Sequence, residues 1–161
     1  MSEVKYGFAP LFDKDSKLLI LGSFPSVKSR KVEFYYGNPQ NRFWRIVCSY
    51  FGEDVPQNTE GKKSFLLKHN IALWDIVTEC EISGSQDSTI KNFKVADIKT
   101  LLQNCGVRFI ILNGSTAYGI FKDNYGDINI PFLKLPSTSP ANTRFSEKEW
   151  RDALSRAFDR A

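Results

Sequence analysis

The chain has 161 residues, 42% of them apolar, and its 22 Lys and Arg against 18 Asp and Glu give a formal charge of +4. That length suits one core, hence a single domain over residues 1–161, and mild basicity permits a nucleic-acid partner without a polybasic tail. Three cysteines without CxxC spacing and one histidine, His69, exclude disulfide scaffolds, zinc sites and iron–sulfur clusters; no run approaches the roughly 20 apolar residues of a membrane span, so a cytoplasmic protein is expected.

In chain order, KLLILGS at 17–23 reads as a buried parallel strand whose carboxyl end opens into a loop. From Pro39, the run PQNRFWRIVCSYF sets Phe43, Ile46, Val47, Tyr50 and Phe51 at helical spacing with Gly52 as a stop. Asn41 then lies near that helix's N-terminus. A helix over 60–69 precedes a second strand, Ile71–Val77. Glu81 to Asn92 reads as an exposed loop, and Val95 to Cys105 as an amphipathic helix ended by Gly106. Arg108–Leu112 is the strongest strand signal and runs into Asn113-Gly114-Ser115. Helical spacing resumes from Thr116 to Phe121, Ile130–Leu135 gives a fourth strand, and Glu147–Arg160 a closing helix.

Alternating strands and helices predict a three-layer α/β domain around a mainly parallel sheet. Ligands of such sheets gather outside the carboxyl ends of the strands. Here those ends are Gly22-Ser23, Asp75, Asn113-Gly114 and Pro136-Ser137.

Six blocks occur in order along the chain: Gly7-Phe8-Ala9-Pro10, LILGSFPS ending at Ser26, YYGNPQNRFW at 35–44, IALWDIV at 71–77, LNGSTAY at 112–118 and LPSTSPANTR at 135–144. In them the chain resembles the uracil-DNA glycosylase superfamily, most closely its hypoxanthine-DNA (deoxyinosine) glycosylase branch. The resemblance implies an α/β/α fold with a central four-stranded parallel sheet flanked by helices. It also implies a monofunctional enzyme, without cofactor or metal, that flips a deaminated base out of DNA and cuts its glycosidic bond to leave an abasic site. Many uracil-excising relatives resemble GINPG in the first block, where an Asn or Asp holds the attacking water. Here GSFPS lacks it, and the resemblance moves the catalytic amide into YYGNPQNRFW.

An amide suits that task because it donates and accepts hydrogen bonds without a net charge to desolvate, and a helix N-terminus adds partial positive charge. Asn41 is the expected catalytic residue and Asn38 the competing amide; either also reads as a helix cap, and physics alone does not rank them. Base contacts are expected from Gly22, Ser23, Phe24, Tyr36 and Asn113. Phe24 would stack on the everted ring or fill the core, whereas Phe43 and Trp44 read as core. Ser26, Ser29, Ser137 and Ser139 are placed for phosphate oxygens. By resemblance LPSTSPANTR inserts into DNA with Asn142 and Arg144 near the strand.

Asp75 reads equally as a general base or a helix cap, His69 as a helix-terminal residue, and the cysteines as packing. The expected partner is double- or single-stranded DNA holding a deaminated base, bound by a monomer away from membranes. Hypoxanthine is the leading substrate, with uracil or xanthine as further ones. The rival readings are an enzyme acting mainly on uracil and a catalytically silent module that binds damaged DNA.

Overall fold

The computed structural model describes residues 3–158. In chain order its elements are β1 (Val4–Tyr6), β2 (Leu18–Gly22), α1 (Val27–Val32), α2 (Phe43–Tyr50), α3 (Thr59–Lys68), β3 (Ile71–Asp75), β4 (Val77–Glu81), β5 (Lys91–Val95), α4 (Ile98–Gln103), β6 (Phe109–Asn113), α5 (Ser115–Tyr125), β7 (Phe132–Leu135) and α6 (Glu147–Phe158). The apolar runs form one sheet in the order β3-β2-β6-β7, and every neighbouring pair in it is parallel.

Successive side chains of a strand point to opposite faces, so the central strands feed two cores. Leu18 and Ile20 of β2 pack with Phe43, Ile46 and Val47 of α2, Phe65 and Leu66 of α3, and Trp150 and Leu154 of α6. Leu19 and Leu21 pack on the other face with Ile98 and Leu101 of α4 and Ala117 and Phe121 of α5. Each such Leu or Ile contributes about 1.5–3 kcal/mol by leaving water. The three layers and the parallel sheet are those expected from the sequence.

Four differences re-aim the chain. The strand expected over 71–77 breaks at Ile76: its N–H bonds Gly22 O at 2.8 Å, Val77 N bonds Ser23 O at 3.1 Å, and the chain leaves for a second, antiparallel sheet, β1-β4-β5. The helix expected from Val95 begins at Ile98, because Val95 closes β5 and Asp97 caps the helix through Thr100 N. The helix expected from Pro39 begins at Phe43, since Asn38 and Asn41 turn the chain with their own side chains. The loop expected over 81–92 likewise holds the end of β4, the start of β5 and a short 3₁₀ turn at Asp87–Thr89. Asp159 and Arg160 of the expected closing helix lie outside the described residues. Among the described residues no helix is long and apolar enough to cross a membrane.

Candidate active site

The carboxyl ends of the parallel strands open onto one cleft of about 860 Å³. At its floor the last residue of β2, Gly22, pairs with the last residue of β3, Asp75. A Cβ on Gly22 would lie 2.5 Å from Asp75 Oδ1 and 3.1 Å from Tyr36 Oη. Only glycine leaves both groups in place. Asp75 is 5% exposed, and its Oδ2 has no hydrogen-bond partner. Burial, with Asp87 nearby, pushes its carboxyl up to about 7, because a charge removed from water is disfavoured. The helix-cap reading of Asp75 is corrected here: β4, not a helix, follows it.

Asn113, at the end of β6 and expected against the base, lines the cleft and is also tied into the protein. Its Nδ2 donates to Tyr36 Oη at 3.2 Å and to Thr138 Oγ1 at 3.0 Å, while its Oδ1 accepts from Thr138 N at 3.0 Å. Both amide hydrogens are taken, which holds Tyr36 and the turn after β7 in place. Tyr36 holds a left-handed backbone, φ 52°, which costs a bulky residue of order 1 kcal/mol or more. Its ring stacks on Phe43 with centroids 4.1 Å apart. That stack and the Asn113 bond hold it in place as a cavity wall, and burial, with Asp75 second, drives its phenol well above the usual range.

The YYGNPQN segment is pinned from several sides. Tyr35 Oη donates to Ala9 O at 2.8 Å and Trp44 Nε1 to Tyr35 O at 3.0 Å. Asn38 Oδ1 accepts from Gln40 N and Asn41 Oδ1 from Phe43 N, both at 2.9 Å. Both amides line the cleft. The bond to Phe43 N fixes the plane of the Asn41 amide at the start of α2 and leaves Nδ2 as its donor.

Arg42 joins this segment to the opposite loop. Its N–H bonds Thr138 O at 3.0 Å, its Nη1 donates to Ser139 O and Asn142 O, each at 3.1 Å, and its guanidinium lies over the Phe145 ring at 4.7 Å. Trp150 of α6 holds the loop from behind through Pro136 O at 2.8 Å. Asn41 and the Pro136–Asn142 turn therefore share one side of the molecule.

Of the serines expected at phosphates, Ser26, Ser137 and Ser139 are half-buried at the cleft. Ser29 is corrected: at 2% exposure its Oγ accepts from Gly37 N and from Ser26 and so builds the loop. Asn142 Nδ2 donates to Ser137 O. Arg144 is exposed and lines the cleft. Phe24 is buried in the second core and also lines the cleft, with the Arg30 guanidinium over its ring at 5.5 Å.

The sequence reading missed Asp87. It comes from the 3₁₀ turn between β4 and β5 and lines the cleft, where Ser23 Oγ donates to its two carboxylate oxygens at 2.9 and 2.8 Å. Burial holds its carboxyl above the ordinary carboxylate range, outweighing the hydrogen bonds from Ser23 and Thr116 that act the other way. Elsewhere, His69 ends α3, bonded to Glu53 and stacked on Phe51. Cys48 and Cys80 are buried packing residues and Cys105 is half-buried. Among the described residues no three His, Cys, Asp or Glu side chains are grouped to hold a metal ion.

Comparison with known proteins gives a consistent picture. Residues 9–158 match the family model described as the Uracil DNA glycosylase superfamily. The chain is 40% identical over 152 residues to the hypoxanthine DNA glycosylase of Methanosarcina acetivorans, covering 91% of this chain and 96% of that protein. It is 31% identical to the hypoxanthine DNA glycosylase of Methanosarcina barkeri, covering 97% and 99%. A solution NMR structure of a candidate uracil DNA glycosylase from Methanosarcina acetivorans superposes with a TM-score of 0.84 at 36% identity, covering 96% and 99% of the two chains.

Proposed function

The chain belongs to the uracil DNA glycosylase superfamily and is a DNA glycosylase, a hydrolase of N-glycosyl bonds acting on deaminated bases; from that premise we propose that hypoxanthine is its principal base and that the strand-end cleft receives it. The observation that carries this reading is the cavity floor, where Asp75 is a nearly buried carboxyl with one oxygen that has no protein partner. Such a group is costly unless something arrives to bond it.

Hypoxanthine fits that floor. Its lactam edge presents a ring N–H beside a carbonyl oxygen, and a carboxyl held near neutrality accepts from the first in either protonation state and donates to the second when protonated. The ionised form repels the lone pair that adenine carries at the same ring nitrogen. Tyr36, Gly22 and Phe24 supply the walls. Eversion costs a few kcal/mol and is cheapest for a mispaired base, and hypoxanthine mispairs.

Bond cleavage builds negative charge on the departing base and positive charge on the sugar, and fixed donors at the base stabilise that change. Asn41 is the main catalytic residue in this reading: its Nδ2, oriented by the Phe43 N–H bond and standing at a helix N-terminus, donates to the leaving base. Asn38 supports the same wall. Ser26, Ser137, Ser139, Asn142 and Arg144 hold the DNA backbone. The protein works as a cytoplasmic monomer and a single unit, on duplex or single-stranded DNA.

A second reading, a preference for uracil, draws on the solved relative carrying that name and on uracil's similar lactam edge. Duplexes with a single deoxyinosine, deoxyuridine or deoxyxanthosine, scored for alkali-labile breaks, decide between them. Fastest cleavage at deoxyinosine is expected. Faster cleavage at deoxyuridine selects the second reading, and DNA binding without breaks at any of the three contradicts both.

A further inference from the structure

Hydrolysis of the glycosidic bond needs an acceptor that holds the attacking water and takes its proton. Most acceptors around the cleft are already committed. Asn41 Oδ1 receives Phe43 N–H, Asn38 Oδ1 receives Gln40 N–H and Asn113 Oδ1 receives Thr138 N–H. Each of these amide oxygens keeps a second lone pair that can hold a water, but an amide is too weak a base to take the water's proton. Taking that proton calls for a carboxylate, and three line the cleft: Asp75, Asp87 and Glu149.

Their depths differ. Asp75 lies on the floor, almost fully buried, where an everted nucleotide, entering base first, brings its base. Glu149 stands exposed in the first turn of α6, open to bulk water. Asp87 comes from an exposed turn and meets the cavity at Ser23, the first residue beyond β2. A nucleotide entering base first would leave its sugar nearer the mouth of the cleft than its base, and Asp87, reaching the cavity from an exposed turn, is the carboxylate between floor and solvent.

The Asp87 turn is a built part of the wall. Ser85 Oγ accepts from Val27 N at 2.8 Å, Gly84 O accepts from Arg30 Nη2 at 2.9 Å, and Thr89 ties the turn together through Ser83 N and Gln86 O. The loop after β2, Ser23-Phe24-Pro25-Ser26, has no carboxylate of its own, and Ser23 instead donates to one delivered from 64 residues further along the chain. An ionised carboxylate has about four lone-pair sites, so Ser23 and Thr116 leave room for a water.

We propose that Asp87 is a catalytic residue of this glycosylase, the general base that holds the attacking water and takes its proton, with Ser23 as the positioning residue that aims it. This rests on the reading of the cleft as a base-excision site. The water oxygen bonds the anomeric carbon, the C–N bond breaks and its electron pair leaves with the base. The water's proton passes to Asp87 and from there to solvent, while the departing base regains a proton at its ring nitrogen. The products are an abasic sugar and free base, with no other reactant.

The test is single-turnover excision at saturating enzyme from a deoxyinosine duplex by wild type, Asp87→Asn and Asp87→Ala. Affinity is measured in parallel on a duplex carrying 2′-fluoro-deoxyinosine, which resists cleavage. Both variants should lose roughly 100-fold or more in rate while keeping wild-type affinity. Added formate, a small carboxylate, should restore part of the Asp87→Ala rate and leave wild type and Asp87→Asn unchanged. A rate within a few-fold of wild type in either variant, a fall in affinity equal to the fall in rate, or no response of Asp87→Ala to formate overturns the assignment. If wild type itself releases no base, the reading of the cleft falls with it; if wild type is active and Asp87→Ala equally so, only the general base is lost.

Discussion

At the floor of the cleft Gly22, Tyr36, Asp75, Asn113 and Thr138 come from five separate segments and fit against one another through contacts that span the chain. At the rim Asn38, Asn41, Ser137, Ser139 and Asn142 bond mostly within their own turns, and Arg42 ties the two loops together. The floor is buried and keeps one unsatisfied oxygen; the rim is half-exposed and keeps its shape locally. On the proposed function, selectivity belongs to the floor and DNA affinity to the rim, with Asn41 at the junction.

Removing the junction should have the largest effect. In Asn41→Ala the single-turnover excision rate is expected to fall by roughly 100- to 1,000-fold, the usual loss for one donor to developing charge, with affinity for uncleavable DNA little changed. Unaltered excision would place the chemistry elsewhere on the wall.

The floor should announce itself in stability. Asp75 binds its proton more tightly in the folded chain, at about 7, than in the unfolded one, so wild-type stability falls as pH rises from about 4 to about 7 and the full cost is present above that range. Asp75→Asn removes the cost. It should stabilise the protein at pH 8 by up to ~4 kcal/mol, about three pK units, and by almost nothing at pH 4. Denaturant unfolding at the two pH values measures this, and an equal effect at both would deny Asp75 its buried proton.

The rim should respond most weakly. Arg144→Ala is expected to weaken binding uniformly across sequences and reduce the salt slope of log affinity by about 1, with the rate at saturation intact. A lost rate at saturation would move Arg144 from the rim to the chemistry.

How much of this was legible in the sequence follows the same physics. β2 and β6 are buried on both faces, so their unbroken apolar runs announce them. β5 is exposed along most of its length, and β1 is three residues with an exposed pattern; both exist because β4 pairs with them, and neither carries a local signal. Ile71 to Val77 is one apolar run serving two sheets, and hydrophobicity does not say where the hydrogen bonds change partner. Pairing of the Asn41 segment with the LPSTSPAN turn was legible through family resemblance, not periodicity. The tie of Asn113 to Thr138 was not legible because nothing near Asn113 predicts that partner, and Asp87 was passed over because a polar turn reads as a solvated one. Both were decided by long-range bonds.

The most direct test is to identify the product. Wild type incubated with a duplex holding one deoxyinosine should release free hypoxanthine, identified by chromatography and mass, in a one-to-one ratio with alkali-labile sites. A duplex left whole, or one cut without the appearance of the free base, would contradict the account.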